Sequence, residues 1–577
     1  MASGHMASGV GHKQTSTSAW RQRLALLLCA VSLAFGYSTL VEAQPVDGLA
    51  STVPAFQPPT IDRDRVDRQD PTVPRPAQPL QLPDGGVAVA DASAAAGVRL
   101  TRVRFEGATL APELLAATAA PFAGAEINQA TLQQLADAVT RAYAKSDIAF
   151  YGVSIPSQPA VGGVITVRVI EGHFAGYRLN KTTRSTPVRL IDAQLKPLME
   201  DRPARKGTIE RSLSLLRDTP GQTVKAQVMK TTTPDELILD LDVERKQVDV
   251  TLNVNNRGVI NVTSGIQAQL GVAINGLLRE GDSTRFSGYI PTQPSRYQSY
   301  SASHATPIGA AGTTLGLSGA YVRTRTRNPE VEGEAKQAAI VLAHPLIRSY
   351  ERNLSVSASL DATNSENYFL DTAFGGFRTR ALRASANWSV VRSKGGYAIS
   401  ASLSQGLNAL GARPTVGYSD TSYRKATVQA IGVKQVAKAF SLKASVRGQY
   451  TKDQLPITER FALGGEGAGI AYRVGVLTAD KAIAGDVDLS WQLAGSEAVG
   501  RSLSVFVYAD GALAKSYARP AYGLASSSQS LASAGGGVRV MPFKGWSATA
   551  QVAVPVKRPE PYFGKKARFL FSLTRTV

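Results

Sequence analysis

From residue 247 to its C terminus the sequence alternates, apolar then polar, over segment after segment. In VDVTLNVNN, Val248, Val250, Leu252 and Val254 share one face, and Asp249, Thr251, Asn253 and Asn255 share the other. GIQAQLGVAIN repeats the pattern: Ile266, Ala268, Leu270, Val272 and Ile274 oppose Gln267, Gln269, Gly271 and Asn275, and Asn275-Gly276 supplies a tight turn. LSVSASLDAT, SLKASVRGQY, DVDLSWQL and LSVFVYADGA follow the same rule. A period of two means strand. The polar face decides which kind of sheet. It carries Lys443, Arg447, Asp486, Asp488 and Asp510, charges of both signs that a packed sandwich core cannot bury. A closed barrel with its apolar face toward lipid and its polar face lining a hydrated lumen accommodates both. At roughly twenty residues per strand and connection, the roughly 330 residues give about sixteen antiparallel strands.

The connections fit one-sided insertion. Some are tight, whereas YVRTRTRNPEVEGEAKQ and LNALGARPTVGYSDTSYRK read as long polar loops. The final segment, RFLFSLTRTV, turns Phe569, Phe571 and Leu573 outward and ends on Val577, where many membrane barrels end in an aromatic.

Ahead of the barrel, residues 98–173 and 174–246 read as two modules of one topology. In the first, VRLTRVRFEG is a strand and TLQQLADAVTRAYAKS a helix. That helix gathers Leu132, Leu135, Val139 and Tyr143 on one face, with Thr131 as its expected cap. AFYGVSIPSQ and GGVITVRVIEG are two further strands. The order recurs in FAGYRLNK, VRLIDAQLKPLM, GTIERSLSLLRD, GQTVKAQVMK and DELILDLDVERK. Tandem modules suggest a repeated binding unit.

Residues 1–43 read as a leader. Arg21 and Arg23 precede an apolar core beginning at Leu24, and Val41-Glu42-Ala43 ends in a small-residue cleavage pattern. A membrane span is the alternative, but the core is short and interrupted by Ser32, Gly36, Ser38 and Thr39. The single cysteine, Cys29, lies in this leader, so a disulfide framework and a thiolate metal site are excluded from the mature chain. Leu28 before it argues against lipoprotein processing. Residues 44–97 are rich in Pro, Ala, Asp and Arg and are expected to form an extended, mobile linker; a short plug helix ahead of it is not indicated. The net charge of +20 comes from dispersed Lys and Arg without a recognition motif, which argues against nucleic acid. His5, His12, His173, His304 and His344 are scattered, and no nucleophile–base or metal-ligand spacing appears. Neither an enzyme nor a cofactor is expected.

One stretch, LGGEGAGIAYRVG, has the glycine content of a phosphate loop. Gly464, Gly465, Gly467 and Gly469 nevertheless fit neither the dinucleotide nor the Walker spacing, and a strand pattern follows instead of a helix.

Here the residues become specific. LQQLADAVTRAYAKSDIAFYGVSIPSQ with GGVITVRVIEG resembles the first POTRA domain of the two-partner secretion transporters, the ShlB/FhaC/HecB family, and TIERSLSLLRDTPGQTVKAQV resembles the second. Asp147 departs from the family's glycine in a helix-ending turn. The resemblance also covers the glycine stretch: FALGGEGAGIAYRVGVLTAD is similar to the family's long sixth extracellular loop, which folds back into the lumen. Leu463-Gly464-Gly465 matches the lead and Ala471-Tyr472 the end of the tip motif. Ile470 stands where the family has an arginine, Glu466 where it commonly has a proline, and Arg473 falls three positions late. YADG resembles the lumen element whose aspartate holds that arginine, which makes an Arg473–Asp510 pair the expected loop anchor. The alternative is a loop held by backbone contacts and Tyr472.

The resemblance implies an outer-membrane pore with periplasmic POTRA domains. It would export a large exoprotein that carries an N-terminal secretion domain and is of adhesin, haemolysin or toxin type. The pore would sit in outer-membrane lipid and work as a monomer, without nucleic acid or nucleotide. An insertase that assembles other barrels, and a simple channel, are the competing readings.

Overall fold

The computed structural model describes Leu80, residues 86–91 and residues 97–577, except 184, 259–261, 264, 327–329, 370–371, 497–499 and 561–563. The expected leader, with Cys29, and most of the expected linker lie outside the described residues.

Sixteen antiparallel strands close into one barrel, from Val248–Asn255 round to Arg568–Thr576, which pairs back onto the first. The alternation dictates the wall. Leu252, Leu270, Phe286, Leu317, Leu403, Val507 and Phe569 stand exposed on the outside, while Asn255, Gln267, Asp361, Thr363, Gln449 and Asp488 are buried inside. An outward apolar belt with an inward polar face is what a barrel in lipid requires. Among the described residues no helix is long and apolar enough to cross a membrane.

One expected loop becomes wall. Among the described residues of YVRTRTRNPEVEGEAKQ only 326, 330 and 331 lie outside strands. Thr313–Arg325 and Glu332–Arg348 continue through the polar ends of the stretch. Cross-strand charge explains this: Arg323 donates to Glu332 at 2.6 Å and Arg325 to the other Glu332 oxygen at 3.1 Å, so a polar sequence can be paired sheet that stands above the belt. The second polar stretch does leave the wall, over 407–423.

Each module ahead of the barrel packs two helices on a sheet. In the first, Pro112–Ala119 and Gln129–Lys145 cover Arg102–Glu106, Tyr151–Ile155 and Val164–Glu171. Leu132, Leu135, Val139 and Tyr143 are buried in its core. The helix cap is not Thr131 but Asn128, whose Oδ1 accepts the Thr131 amide at 2.8 Å; an extended residue three positions ahead is the one that can reach a first-turn amide. The second module packs Val188–Glu200 and Lys206–Asp218 on His173–Asn180, Glu236–Arg245 and Gln222–Lys230.

The linker expectation needs correction where the structure describes it. Val87–Val89 pairs in parallel with Tyr151–Ile155, adding a fourth strand to the first module's sheet. Leu80 is buried in the second module's core. Short apolar stretches within a Pro-rich segment can still dock where a sheet edge or a core offers partners.

Asp147 has a role that its departure from the family pattern conceals. Its carbonyl accepts the Lys206 amide at 2.7 Å and its Oδ1 accepts from Gly207 at 3.2 Å. A residue of the first module therefore caps a helix of the second, and Phe150 stacks edge-on against Phe174 across the same junction, ring centroids 5.3 Å apart. The second module is clamped to the barrel in turn. Arg348 grips Asp218 with two hydrogen bonds of 2.6 Å, and Arg211 donates to the carbonyls of Ala311 and Pro345 at 3.2 Å each. Those turns lie at one end of the barrel, which fixes the modules at that mouth.

Candidate functional site

The long connection 452–480, between Phe440–Thr451 and Lys481–Ser496, leaves the opposite end of the wall and turns into the lumen. Its stem is a two-stranded ribbon, Phe461–Leu463 against Leu477–Ala479. The tip closes on itself: Gly464 N donates to the Ala468 carbonyl at 2.8 Å, Gly465 N to Tyr472 at 3.0 Å and Tyr472 N to Gly469 at 2.9 Å. Two glycines make this closure possible. Gly464 has φ +91°, and a Cβ there would meet the Arg473 carbonyl; Gly469 has φ +103°, and a Cβ there would meet Leu531 of the wall. The glycine stretch is the fold-back of a loop into a crowded lumen.

The tip docks on a patch of unusually small inward side chains. Ile470, Ala471 and Tyr472 are buried against Ala484, Ala512, Ala514, Leu531, Ala553 and Leu570. Asp510 rises from Arg501–Ser516 beside this patch, where its Oδ2 accepts the amides of Gly469 at 3.0 Å and Ile470 at 2.7 Å. Ser533 donates to its other oxygen. The Ala471 amide reaches the Ser533 hydroxyl at 3.3 Å, and the Tyr472 hydroxyl donates to the Lys557 carbonyl at 2.9 Å.

The expected Arg473–Asp510 ion pair is accordingly replaced. No such pair occurs among the described residues, and the carboxylate is taken by two backbone N–H groups and a hydroxyl. The cause is local: positive φ at Gly469 swings successive amides toward Asp510, so the lock uses the backbone at position 470 and leaves its side chain free to be apolar. Ile470 packs in the cluster of alanine and leucine side chains at the edge of the charged lumen.

The lumen residues named from alternation come together. Lys443, Arg447, Asp486, Asp488 and Asp510 line one cavity of about 560 Å³ with Glu466 and Ile470. Arg447 donates to the Glu466 carbonyl at 2.6 Å, and Arg257 pairs with the Glu466 carboxylate. Glu466, the departure from the family's proline, thus joins loop to wall. Asp488 pairs with Arg539, and Asp486 accepts from Ser445.

Two buried ion clusters escape sequence reasoning. At the start of the stem Glu459, fully buried, accepts from Lys425 at 2.7 Å and from Arg383 at 3.0 Å, and Arg383 also grips Asp361 at 2.6 Å. At its end Asp480, fully buried, takes the Leu455 amide at 3.0 Å, the Tyr517 amide at 2.8 Å and both terminal nitrogens of Arg519 at 2.8 and 3.1 Å. Arg460 lies beside Asp480 and donates to Ser516 at 2.6 Å. Arg519 is 1% exposed and stacks on Tyr418, 4.3 Å from the ring centroid. Charges buried this far persist only when paired and fully hydrogen-bonded. The sequence signal was faint: a glutamate and an aspartate, one just before and one just after a short apolar ribbon.

Known proteins resemble the chain in sequence pattern and in fold. The sequence model for haemolysin secretion/activation proteins ShlB/FhaC/HecB matches residues 236–540, and the model for POTRA domains of ShlB type matches residues 98–172. Among solved structures, CdiB from Escherichia coli superposes with a TM-score of 0.70 at 16% identity, covering 97% of this chain and 98% of that one. CdiB from Acinetobacter baumannii gives 0.62 at 14% identity, with the same coverage of 97% and 98%. BamA from Haemophilus ducreyi lacking POTRA domains 1–3 gives 0.50 at 12% identity, covering 83% of this chain and 100% of that one. At such identities these likenesses speak to fold. No curated protein sequence matches the chain.

Proposed function

The chain belongs to the haemolysin secretion/activation family ShlB/FhaC/HecB, the two-partner secretion transporters, and from that premise we propose how it moves its client. The barrel sits in the outer membrane with both α+β modules in the periplasm. There the modules capture the N-terminal secretion domain of a large exoprotein in extended form. Strand addition suits that task, because main-chain hydrogen bonds make little demand on sequence. Gln222–Lys230, an edge of the second module's sheet, lies within the part of the chain clamped to the barrel mouth. The client then passes unfolded through the lumen and folds outside. No nucleotide is available in that space, so folding supplies the direction.

The observation that carries this reading is the lumen itself. It is lined by charges of both signs and filled by a loop whose attachments include ion clusters and backbone hydrogen bonds. Such a plug can be withdrawn without unfolding the wall.

Deleting the chain from cells that make the exoprotein tests the reading. The exoprotein is expected to stop reaching the surface and to collect in the periplasm, with other outer-membrane proteins unchanged. A general loss of outer-membrane barrels would favour an insertase, and normal export would overturn the proposal.

A further inference from the structure

The outer wall carries a polar feature that neither the lumen nor the modules use. Lys481 and Lys515 are direct cross-strand partners at the end of the barrel away from the modules. Both face outward, in line with the exposed Ile483 and Leu513 just below them. Like charges placed opposite each other on one face of a sheet destabilise the pairing. Among the described residues neither ammonium has a carboxylate within ion-pair distance. The Lys481 ammonium is instead held between two rings, 4.4 Å from the Tyr450 centroid and 5.4 Å from that of Tyr517. Ser528, the register partner of Lys515, and Ser530 add two hydroxyls. Lys481, Lys515, Ser528 and Ser530, with Ile483 and Leu513, line a hollow of about 470 Å³ on the outside of the wall.

We infer that this hollow is a binding site for a phosphorylated lipid headgroup of the outer leaflet. The chemistry matches in each part. Two ammonium groups and two hydroxyls can surround a phosphate, the tyrosine rings fix the nearer cation and mark interfacial depth, and Ile483 with Leu513 offer an apolar track to the acyl chains. The counterion also removes the repulsion that the register imposes. Lys481 opens the strand that follows the inserted loop, directly after Asp480, which puts the bound lipid beside the end of the stem.

The inference rests on the proposed outer-membrane placement, and its test separates the two. Full-length protein extracted from membranes in mild detergent is weighed by native mass spectrometry, as wild type, Lys481→Gln/Lys515→Gln, and Lys438→Gln at the module end of the wall. Wild type and the Lys438 variant are expected to carry one phosphorylated lipid per chain, and the double variant at least about tenfold less. Equal retention by the double variant overturns the site. So does equal binding of vesicles made with the dephosphorylated lipid, a comparison on wild type alone that decides the matter if the double variant does not fold. Inorganic phosphate binding as tightly as the lipid overturns it as well, by reassigning the hollow to a free anion. A wild-type chain missing from the outer membrane overturns both readings, whereas a folded, inserted, lipid-free wild type overturns only this one.

Discussion

Asp480→Ala releases the inserted loop. The carboxylate accepts two backbone amides and both terminal nitrogens of Arg519, and lies beside Arg460. Removing it strands two guanidinium groups in a site where Arg519 is 1% exposed. A buried pair is a weak source of net stability compared with apolar packing, but a buried charge left unpaired costs about 3–5 kcal/mol. Loop docking should therefore weaken by roughly two to three and a half orders of magnitude. The wall has its own continuous hydrogen-bond ladder and stays closed. Trypsin added from outside is expected to cut after Arg460 and Arg473 in the variant and to spare the wild type. The pore should conduct more in planar bilayers, while heat-dependent gel migration still reports a folded barrel. Intact loops and unchanged conductance would show that the stem does not hold the loop. Asp480→Asn keeps an acceptor for one of the amides and should fall between the two.

Asp510→Ala frees the tip and leaves the stem in place. Here the loss is local: the Gly469 and Ile470 amides and the Ser533 hydroxyl lose their acceptor, at about 1–3 kcal/mol for each buried group left unsatisfied. Trypsin should now reach Arg473 while Arg460, held among Asp480, Ser516 and Tyr418, stays protected. The charge swap separates this lock from the one expected from family pattern. Since Asp510 is met by backbone amides, Arg473→Asp combined with Asp510→Arg should recover no loop protection and no export beyond either single change. Recovery in the double variant would show that Arg473 and Asp510 pair in the working protein.

These two variants mark where the sequence stopped being informative. The wall was legible because alternation is a property of each segment alone. Val248 to Val254, or the charged faces bearing Lys443 and Asp486, declare their orientation without knowledge of their neighbours. The two modules were legible for the same reason, through helical faces such as Leu132 to Tyr143. What alternation could not supply was which distant residues meet. Glu459 joins Lys425 and Arg383, and Asp480 joins Arg519, only because the loop turns inward. The inward alanines at 484, 512, 514 and 553 look like weak strand positions until the tip is seen to occupy the space they leave. Family pattern pointed to the right aspartate but to the wrong donor, since a motif records side chains whereas the contact at Ile470 is made by its amide. Composition misjudged 86–91, where three apolar residues in a Pro-rich segment find an open sheet edge.

Export by this chain requires the client to travel through the lumen. A photo-activated crosslinker placed at Lys443, which lines the interior cavity, in cells caught during export should capture the exoprotein. The same probe at Val446, outward and exposed on the same strand, should not. Capture at 443 alone is the predicted result; export that proceeds with no capture at 443, or with capture at 446 instead, would contradict it.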